Sequence, residues 1–256
     1  MSLLKDRVAI VTGSSSGIGQ AIAVRLASEG ASLVIDYVGH SEGADETLRQ
    51  VTAAGSKGII VQADVSNVEA VRNLVDQAWN AFGSADILVN NAGMEKKADF
   101  VDVAEEDYDK VLGVNLKGPF FLTQAFVRRL KDAKKPGRVI NISSVHEDMA
   151  FPGFASYCVS KGGLRMLMRD LAVELGPMGI TINNVAPGAI NTPINTALLE
   201  NKPKLDALLK MIPLGRLGST DDVASLVAFL ASDQAGYING STFIIDGGLS
   251  RNYHEQ

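Results

Sequence analysis

The chain has 256 residues, 46% hydrophobic and 21% charged, with 25 Gly and 8 Pro. These are the proportions of a globular protein, and the length suffices for a core that needs neither disulfides nor a structural metal. The 24 Lys+Arg against 29 Asp+Glu give a formal net charge of -5, which disfavours a general binder of nucleic acid or anionic membrane, since either wants a basic face. The single cysteine, Cys158, excludes an intrachain disulfide and a Cys-rich zinc site, and no metal is expected. The opening Met-Ser-Leu-Leu-Lys-Asp-Arg runs straight into a short apolar run with no secretory pattern. No uncharged apolar stretch approaches the ~20 residues of a membrane span. A reducing, cytoplasmic compartment is the expectation.

Short apolar runs alternate with longer amphipathic ones. Arg7–Thr12 reads as a buried strand, because consecutive apolar residues suit a parallel strand covered on both faces. Ile18–Glu29 follows with apolar residues at helical spacing. Then come strand Ser32–Tyr37, a polar helix Ser41–Ala54, strand Gly58–Val61 and a helix Val68–Phe82 with its stripe at Val71, Leu74, Val75 and Ala78. Strand Ile87–Val89, a long helix Glu105–Leu130, strand Arg138–Ile142, helix Tyr157–Leu175 and strand Ile180–Val185 continue the pattern. Helix Thr220–Ala231, with Ser219 or Thr220 as N-cap, and strand Thr242–Ile245 close it.

Repeated β-α-β units of this spacing predict an α/β fold, a single doubly wound domain of about seven parallel strands with helices on both faces, spanning 1–256. The one interruption, Asn191–Leu217, carries Pro193, Pro203, Pro213 and Gly215. It falls at the carboxyl edge of the sheet, where a lid over a ligand crevice would sit.

Between the first strand and first helix lies Thr12-Gly13-Ser14-Ser15-Ser16-Gly17-Ile18-Gly19. Gly13 permits a tight turn, Gly17 lets the backbone approach a pyrophosphate, and Gly19 lets the helix pack closely on the sheet. The helix start then offers free N–H groups and the positive end of a dipole to phosphates. A glycine-rich connection without a ligand is the plain alternative. The spacing is Gly-x-x-x-Gly-x-Gly rather than the commoner Gly-x-Gly-x-x-Gly.

This segment resembles the cofactor turn of the short-chain dehydrogenase/reductase family, and the resemblance runs from Val8 to Gly248. It is carried further by Asp64-Val65, Asn90-Asn91-Ala92-Gly93, Asn115, Ser144, Tyr157-Cys158-Val159-Ser160-Lys161, Pro187-Gly188 with Thr192, and Asp246-Gly247-Gly248, all in order. The resemblance implies a Rossmann-type fold that binds NAD or NADP. Cofactor contacts are then expected at Gly13, Ser15, Ser16, Gly17, Ile18 and Gly19. Asp36 and Tyr37 follow at the end of strand two, with Asp64 and Val65 at the adenine and Asn91, Ala92 and Gly93 at the ribose. Tyr157 and Lys161 complete the cofactor set with Pro187, Gly188, Ile190 and Thr192 at the nicotinamide. Asn90 and Asp64 also fit simple turn positions, which Asn and Asp favour.

Tyr157 and Lys161 are four residues apart and share one helix face. Hydride transfer at an alcohol carbon requires a proton to leave or join the oxygen. A free phenol, with a pKa of about 10, is a poor base near neutrality. A neighbouring ammonium, together with the positive ring of an oxidised cofactor, is expected to lower that value. The resemblance implies that Lys161 also bonds the nicotinamide ribose. It further implies that Ser144, with Ser143 as its rival, orients the substrate oxygen, and that Asn115 holds a water linking Lys161 to solvent.

Segments around these residues are similar to bacterial glucose 1-dehydrogenases within the family: Gly93-Met94-Glu95, Ser143 to Glu147, Pro187 to Asn195, and Met211-Ile212-Pro213. That subgroup oxidises β-D-glucose at C1 to D-glucono-1,5-lactone. Glu95, His146 and Asn195, with Ser144 and Tyr157, are the expected sugar contacts. Glu95 beside Lys96 and Lys97 reads equally as a solvated charged loop, and His146 as a loop cap. A 3-oxoacyl-[acyl-carrier-protein] reductase, another carbonyl or polyol reductase, and a non-enzymatic nicotinamide-binding redox sensor are the competing readings. Arg128, Arg129, Lys131, Lys134 and Lys135 cluster as carrier-protein docking would want, but they end a helix, where cations are favoured anyway.

No Arg or Lys lies among residues 36–40, and Asp36 would repel a 2′-phosphate, which leans the cofactor toward NAD. However, Asp36 stands one place before the family's usual ribose-binding acid, Tyr37 matches many NADP users, and His40 offers a partner for a phosphate. The family implies a homotetramer, with Glu105–Leu130 and Tyr157–Leu175 in one interface and the C-terminal strand region in another. Leu164, Leu167, Met168 and Leu171 serve either that interface or the sheet.

Overall fold

The computed structural model describes residues 2–193 and 196–252. Seven strands, β1 (Val8–Val11), β2 (Ser32–Tyr37), β3 (Gly58–Gln62), β4 (Ile87–Asn90), β5 (Gly137–Ile142), β6 (Ile180–Pro187) and β7 (Thr242–Ile245), form one sheet in the order β3-β2-β1-β4-β5-β6-β7. Every pairing is parallel. This is the doubly wound Rossmann-type arrangement.

The helices are α1 (Gly17–Ser28), α2 (Glu42–Ala53), α3 (Val68–Phe82), α4 (Glu105–Leu112), α5 (Gly118–Ala133), α6 (Ala155–Leu175), α7 (Thr196–Leu199), α8 (Lys202–Met211) and α9 (Thr220–Ala231). Both faces of the sheet are apolar, and the strands divide their side chains between them with period two. Ala9, Val11, Leu33, Ile35, Ile87 and Val89 meet Ile22, Leu26, Val223 and Val227 of α1 and α9. Ile10, Val34, Leu88 and Val139 meet Leu74, Leu122, Phe126 and Met168 of α3, α5 and α6. Leu164 and Met168 therefore face the sheet, while Val159, Met166 and Val173 of the same helix are exposed.

Two elements depart from the expected pattern. The long helix predicted over Glu105–Leu130 is interrupted by a π turn at Gly113–Lys117 that carries Asn115 inward. The insertion at 191–217 folds into α7 and α8, although its prolines suggest irregular chain. Pro203 stands in the first turn of α8, where its missing N–H costs nothing. The two ends of the insertion are tied by a parallel bridge between Ile190 and Gly218, with Asn191 N donating to Gly218 O at 2.8 Å. Among the described residues, no helix is long and apolar enough to cross a membrane.

Phe126, fully buried between α5 and the sheet, tests this packing. Phe126→Ala is expected to cost about 3–5 kcal/mol through lost burial and the cavity left behind, read as a lowered midpoint in urea unfolding with an unchanged slope.

Candidate active site

All carboxyl ends of the strands open on one edge, and the predicted site residues gather there. The turn after β1 is shaped by its glycines. Gly13 and Gly17 lie at φ +59° and +56°, in the left-handed region. A Cβ at Gly19 would collide with the Gly13 carbonyl oxygen. Ser16, the N-cap of α1, makes no side-chain capping bond, so its hydroxyl does not cover the first N–H groups of that helix. Thr12, which sequence reasoning passed over, ties this turn to the loop after β4. Its hydroxyl oxygen accepts from Asn91 N at 2.9 Å and Ala92 N at 3.0 Å, while Asn91 Nδ2 donates to Thr12 O at 2.8 Å. Thr192 reaches the same place from β6, since a Cβ at Gly17 would lie 3.9 Å from the Thr192 Cβ. Ser15, Ser16 and Ile18 stay partly or fully accessible in the turn.

A dinucleotide fits this cradle: the close backbone approach leaves no room for side chains, and the helix start supplies N–H donors. Asp64 projects from the chain after β3 and accepts from Ser66 N and Ser66 Oγ at 2.9 and 2.7 Å, so it also closes a local turn. Val65 is buried beside it.

Asp36 departs from its expected place on the ribose wall. It is only 2% exposed, folded beneath the glycine turn, where Oδ2 accepts from Gly13 N at 3.0 Å. Its Oδ1 is buried without a hydrogen-bond partner. Burial pushes the carboxyl up to about 7, against the lowering effect of its backbone donors and with a further rise from Asp64. The acid thus holds the turn from behind, and at neutral pH it is only partly ionised. Tyr37 is half-buried and Val38 is exposed at the strand's end.

Asn115, Ser144, Tyr157 and Lys161 meet at the next opening of the edge. A Cβ at Gly93 would lie 3.6 Å from Asn115 Oδ1 and 3.8 Å from Lys161 Nζ. Lys161 is 4% exposed, donates to Ile142 O at 2.9 Å, and sits 5.6 Å from the centroid of the Tyr157 ring. Burial pulls its ammonium down to about 8, with Glu147 opposing. Ser144 hydrogen-bonds the Tyr157 hydroxyl, whereas Ser143 Oγ is buried without a partner, which separates the two serines.

The Tyr157 hydroxyl is not acidified in the chain by itself. Burial pushes it up to about 12, Ser144 lowers it, and Glu95 and Cys158 raise it further. The expected lowering by Lys161 is absent because the ammonium addresses the Ile142 carbonyl and lies beside the ring rather than at the oxygen.

Asn115 also differs from expectation. Its Oδ1 accepts from Met94 N at 2.8 Å, and its Nδ2 donates to Met94 O at 2.8 Å and Ser160 Oγ at 3.1 Å. Both amide protons are used, so the side chain clamps the loop after β4 to α6 rather than holding a water. Ser160 passes the link on, donating to Tyr157 O at 2.7 Å.

His146 and Glu95 stand at the rim. The His146 ring stacks on Phe151 at 4.1 Å and meets the Tyr157 ring edge-on at 6.3 Å. Partial burial lowers its pKa, and Met149 O opposes. Desolvation raises the Glu95 carboxyl although the residue lies in the exposed part of its loop. Pro187 ends β6 in the interior, with Gly188 next to it, and Ile190 is 3% exposed. Asn195 lies outside the described residues. No group of three or more His, Cys, Asp or Glu placed to hold a metal ion occurs among the described residues.

The model of the family described as enoyl-(acyl carrier protein) reductase matches residues 13–250. The chain is 44% identical to 3beta-hydroxysteroid dehydrogenase 1 of Eggerthella lenta over 96% of this chain and 95% of that protein. It is 42% identical to L-rhamnose 1-dehydrogenase (NAD(P)(+)) of Azotobacter vinelandii over 96% and 98%. With glucose 1-dehydrogenase 2 of Bacillus subtilis it shares 38% over 96% of each. A crystal structure of a gluconate 5-dehydrogenase from Burkholderia cenocepacia, in complex with NADP and tartrate, superposes with a TM-score of 0.92 at 35% identity, covering 98% of this chain and 97% of that one. The chain belongs to the short-chain dehydrogenase/reductase family and is an oxidoreductase of that family.

The buried Asp36 gives a test with a definite sign. A carboxyl raised from 3.8 to about 7 contributes stability that is whole below pH ~4 and is lost as pH rises through 7. Asp36→Asn keeps an acceptor for Gly13 N and removes the charge. It is expected to gain on the order of 2–4 kcal/mol at pH 8 and little at pH 4, checked by thermal melts at the two pH values.

Proposed function

We propose that the chain transfers hydride between a secondary alcohol or hemiacetal and NAD(P), and that it oxidises an aldose at C1, with D-glucose giving D-glucono-1,5-lactone as the leading case. The observation that carries this reading is the placement of the Ser144–Tyr157 hydroxyl pair over buried Lys161, beside the loop that Thr12 ties to the glycine turn. The nicotinamide, when bound, supplies the hydride acceptor. Tyr157 takes the substrate proton at its hydroxyl oxygen. Ser144 holds the substrate oxygen beside it, and Asn115 fixes the loop and the first turn of α6 in register.

The phenol's raised pKa has a consequence for this assignment. A site that keeps the proton on Tyr157 while empty needs the positive ring of the oxidised cofactor, as well as Lys161, to draw the proton off. Proton abstraction then begins only in the loaded enzyme.

The sugar reading rests on Glu95 and His146 at the rim and on the named C1 aldose dehydrogenases among the relatives. The steroid relative makes a ring-borne secondary alcohol the second reading, favoured by the stacked His146, Phe151 and Phe154 rings beside Tyr157. Carrier-protein docking has less support, because part of the basic cluster is engaged: Arg129 pairs with Asp76 at 2.5 Å and Lys135 stands 5.9 Å over Trp79. For the cofactor, the absence of Arg and Lys at 36–40 favours NAD, and the partly neutral Asp36 leaves NADP acceptable. The segment 191–217 would act as the lid, and exposed Tyr108, Phe120, Val159 and Met166 on α4–α6 would be covered in a homotetramer.

Tyr157→Phe is expected to lower kcat by at least about 10³-fold while leaving the Kd for NAD(P)H within a few-fold, followed by absorbance at 340 nm and nucleotide fluorescence. A Phe variant that kept most of its turnover would sink the assignment. A panel of glucose, rhamnose and a 3β-hydroxysteroid with either nucleotide is expected to give the highest kcat/KM with an aldose. Turnover of the steroid alone would overturn the sugar reading.

A further inference from the structure

One buried carboxylate beneath the site has no part in the reading above. Glu147 stands three residues after Ser144, at the end of the 3₁₀ turn Val145–Glu147, with its side chain only 3% exposed. Three elements hold it. Oε1 accepts from Thr242 Oγ1 of β7 at 2.7 Å, Oε2 accepts from Asn184 Nδ2 of β6 at 3.1 Å, and Arg165 Nε of α6 lies 3.5 Å from Oε1.

Behind Asn184 runs a line of buried amides across neighbouring strands. Asn141 Nδ2 donates to Asn184 Oδ1 at 2.9 Å, and Asn90 Nδ2 donates to Asn141 Oδ1 at 2.8 Å. The direction of this line is fixed by its end. An ionised carboxylate only accepts, so Asn184 must turn its NH₂ toward Glu147, and each amide behind it must follow suit. All three dipoles therefore point their positive ends at Glu147, and hydrogen bonds so aligned strengthen one another.

Arg165 only partly answers that charge, since its Nη1 also bonds Asp148 at 2.7 Å. Lys161, one helical turn before Arg165 on α6, is a buried ammonium whose printed hydrogen bond is to a neutral carbonyl, Ile142 O. The charged and titratable groups around Lys161 and Tyr157 are Glu147 with Arg165 and Asp148 behind it, Glu95 from the loop after β4, and His146 and Cys158 beside the phenol.

We propose that Glu147 is a positioning residue of this site: its anchored carboxylate is the counter-charge of the Lys161 ammonium and pins the Ser144 turn to β6, β7 and α6. Of the two effects on Lys161, burial draws the ammonium toward neutrality and Glu147 opposes it. Without that opposition, the lysine would lose its proton in the pH range where alcohol oxidation needs the charge. The inference rests on the proposed role of Lys161, but its first readout does not require turnover.

The test follows the Lys161 13Cε resonance against pH in lysine-labelled full-length protein, assigned with Lys161→Met, alongside the high-pH limb of kcat/KM. In Glu147→Gln, the titration and the limb are both expected to move to lower pH, by on the order of one unit. In Arg165→Gln, which leaves the carboxylate unanswered, they are expected to move to higher pH. A Glu147→Gln protein that melts earlier but titrates Lys161 as the wild type does would reduce Glu147 to a packing role and overturn the proposal. Should Glu147→Gln fail to fold, Arg165→Gln decides: an upward shift supports the counter-charge, and an unmoved lysine overturns it. A wild-type protein that turns over no alcohol with either nucleotide would defeat the functional reading while leaving the lysine titration to judge this one.

Discussion

Seven strands that all run the same way must put all their carboxyl ends on one edge. There the loops must leave the sheet without its hydrogen bonds, and this constraint organises the molecule. Polar side chains take over where the ladder stops. Thr12 receives the amides of Asn91 and Ala92, Asp36 receives that of Gly13, and Asn115 pairs with both backbone groups of Met94. Buried polar groups cost stability unless they are bonded in this way. The bonds that satisfy the loop ends therefore also fix the groups that line the crevice.

The second consequence is electrostatic. Two groups with opposite tendencies are buried side by side. Desolvation pushes the Tyr157 phenol away from its charged form, and it does the same to the Lys161 ammonium. Left alone, both would sit neutral. The chain places hydrogen-bond partners and one carboxylate so that the lysine keeps its charge, while the phenol keeps its proton until a positive ring comes near. The empty site is a poor base, which suits a reaction that should start only when both ligands are in place.

Much of this was legible in the residues. Unbroken apolar runs such as Arg7–Thr12 announce strands covered on both faces, and the alternation of runs announces the parallel sheet. The glycine turn and the Tyr157–Lys161 spacing locate two separate parts of the edge. Less legible were features without a period. The π turn at Gly113–Lys117 inserts one residue into an otherwise helical pattern, so Glu105–Leu130 reads as a single helix. Asn90, Asn141 and Asn184 interrupt buried strands, a signal visible in sequence, yet their common row depends on register between strands far apart in the chain. The helices α7 and α8 were hidden by Pro203, which reads as a breaker until it is seen in a first turn.

What the sequence by itself determined is the set of elements, their parallel sense and the identity of the groups at the crevice, because local periodicity and turn chemistry are written in neighbouring residues. Only the tertiary structure decided what those groups face. Asp36 lies beneath the glycine turn rather than on the ribose wall, Asn115 is spent on the Met94 backbone, and Glu147 stands among Asn184, Thr242 and Arg165. The physical reason is common to the three: a side chain's charge and bonding are set by partners from distant strands and by burial, and neither is encoded in its neighbours along the chain.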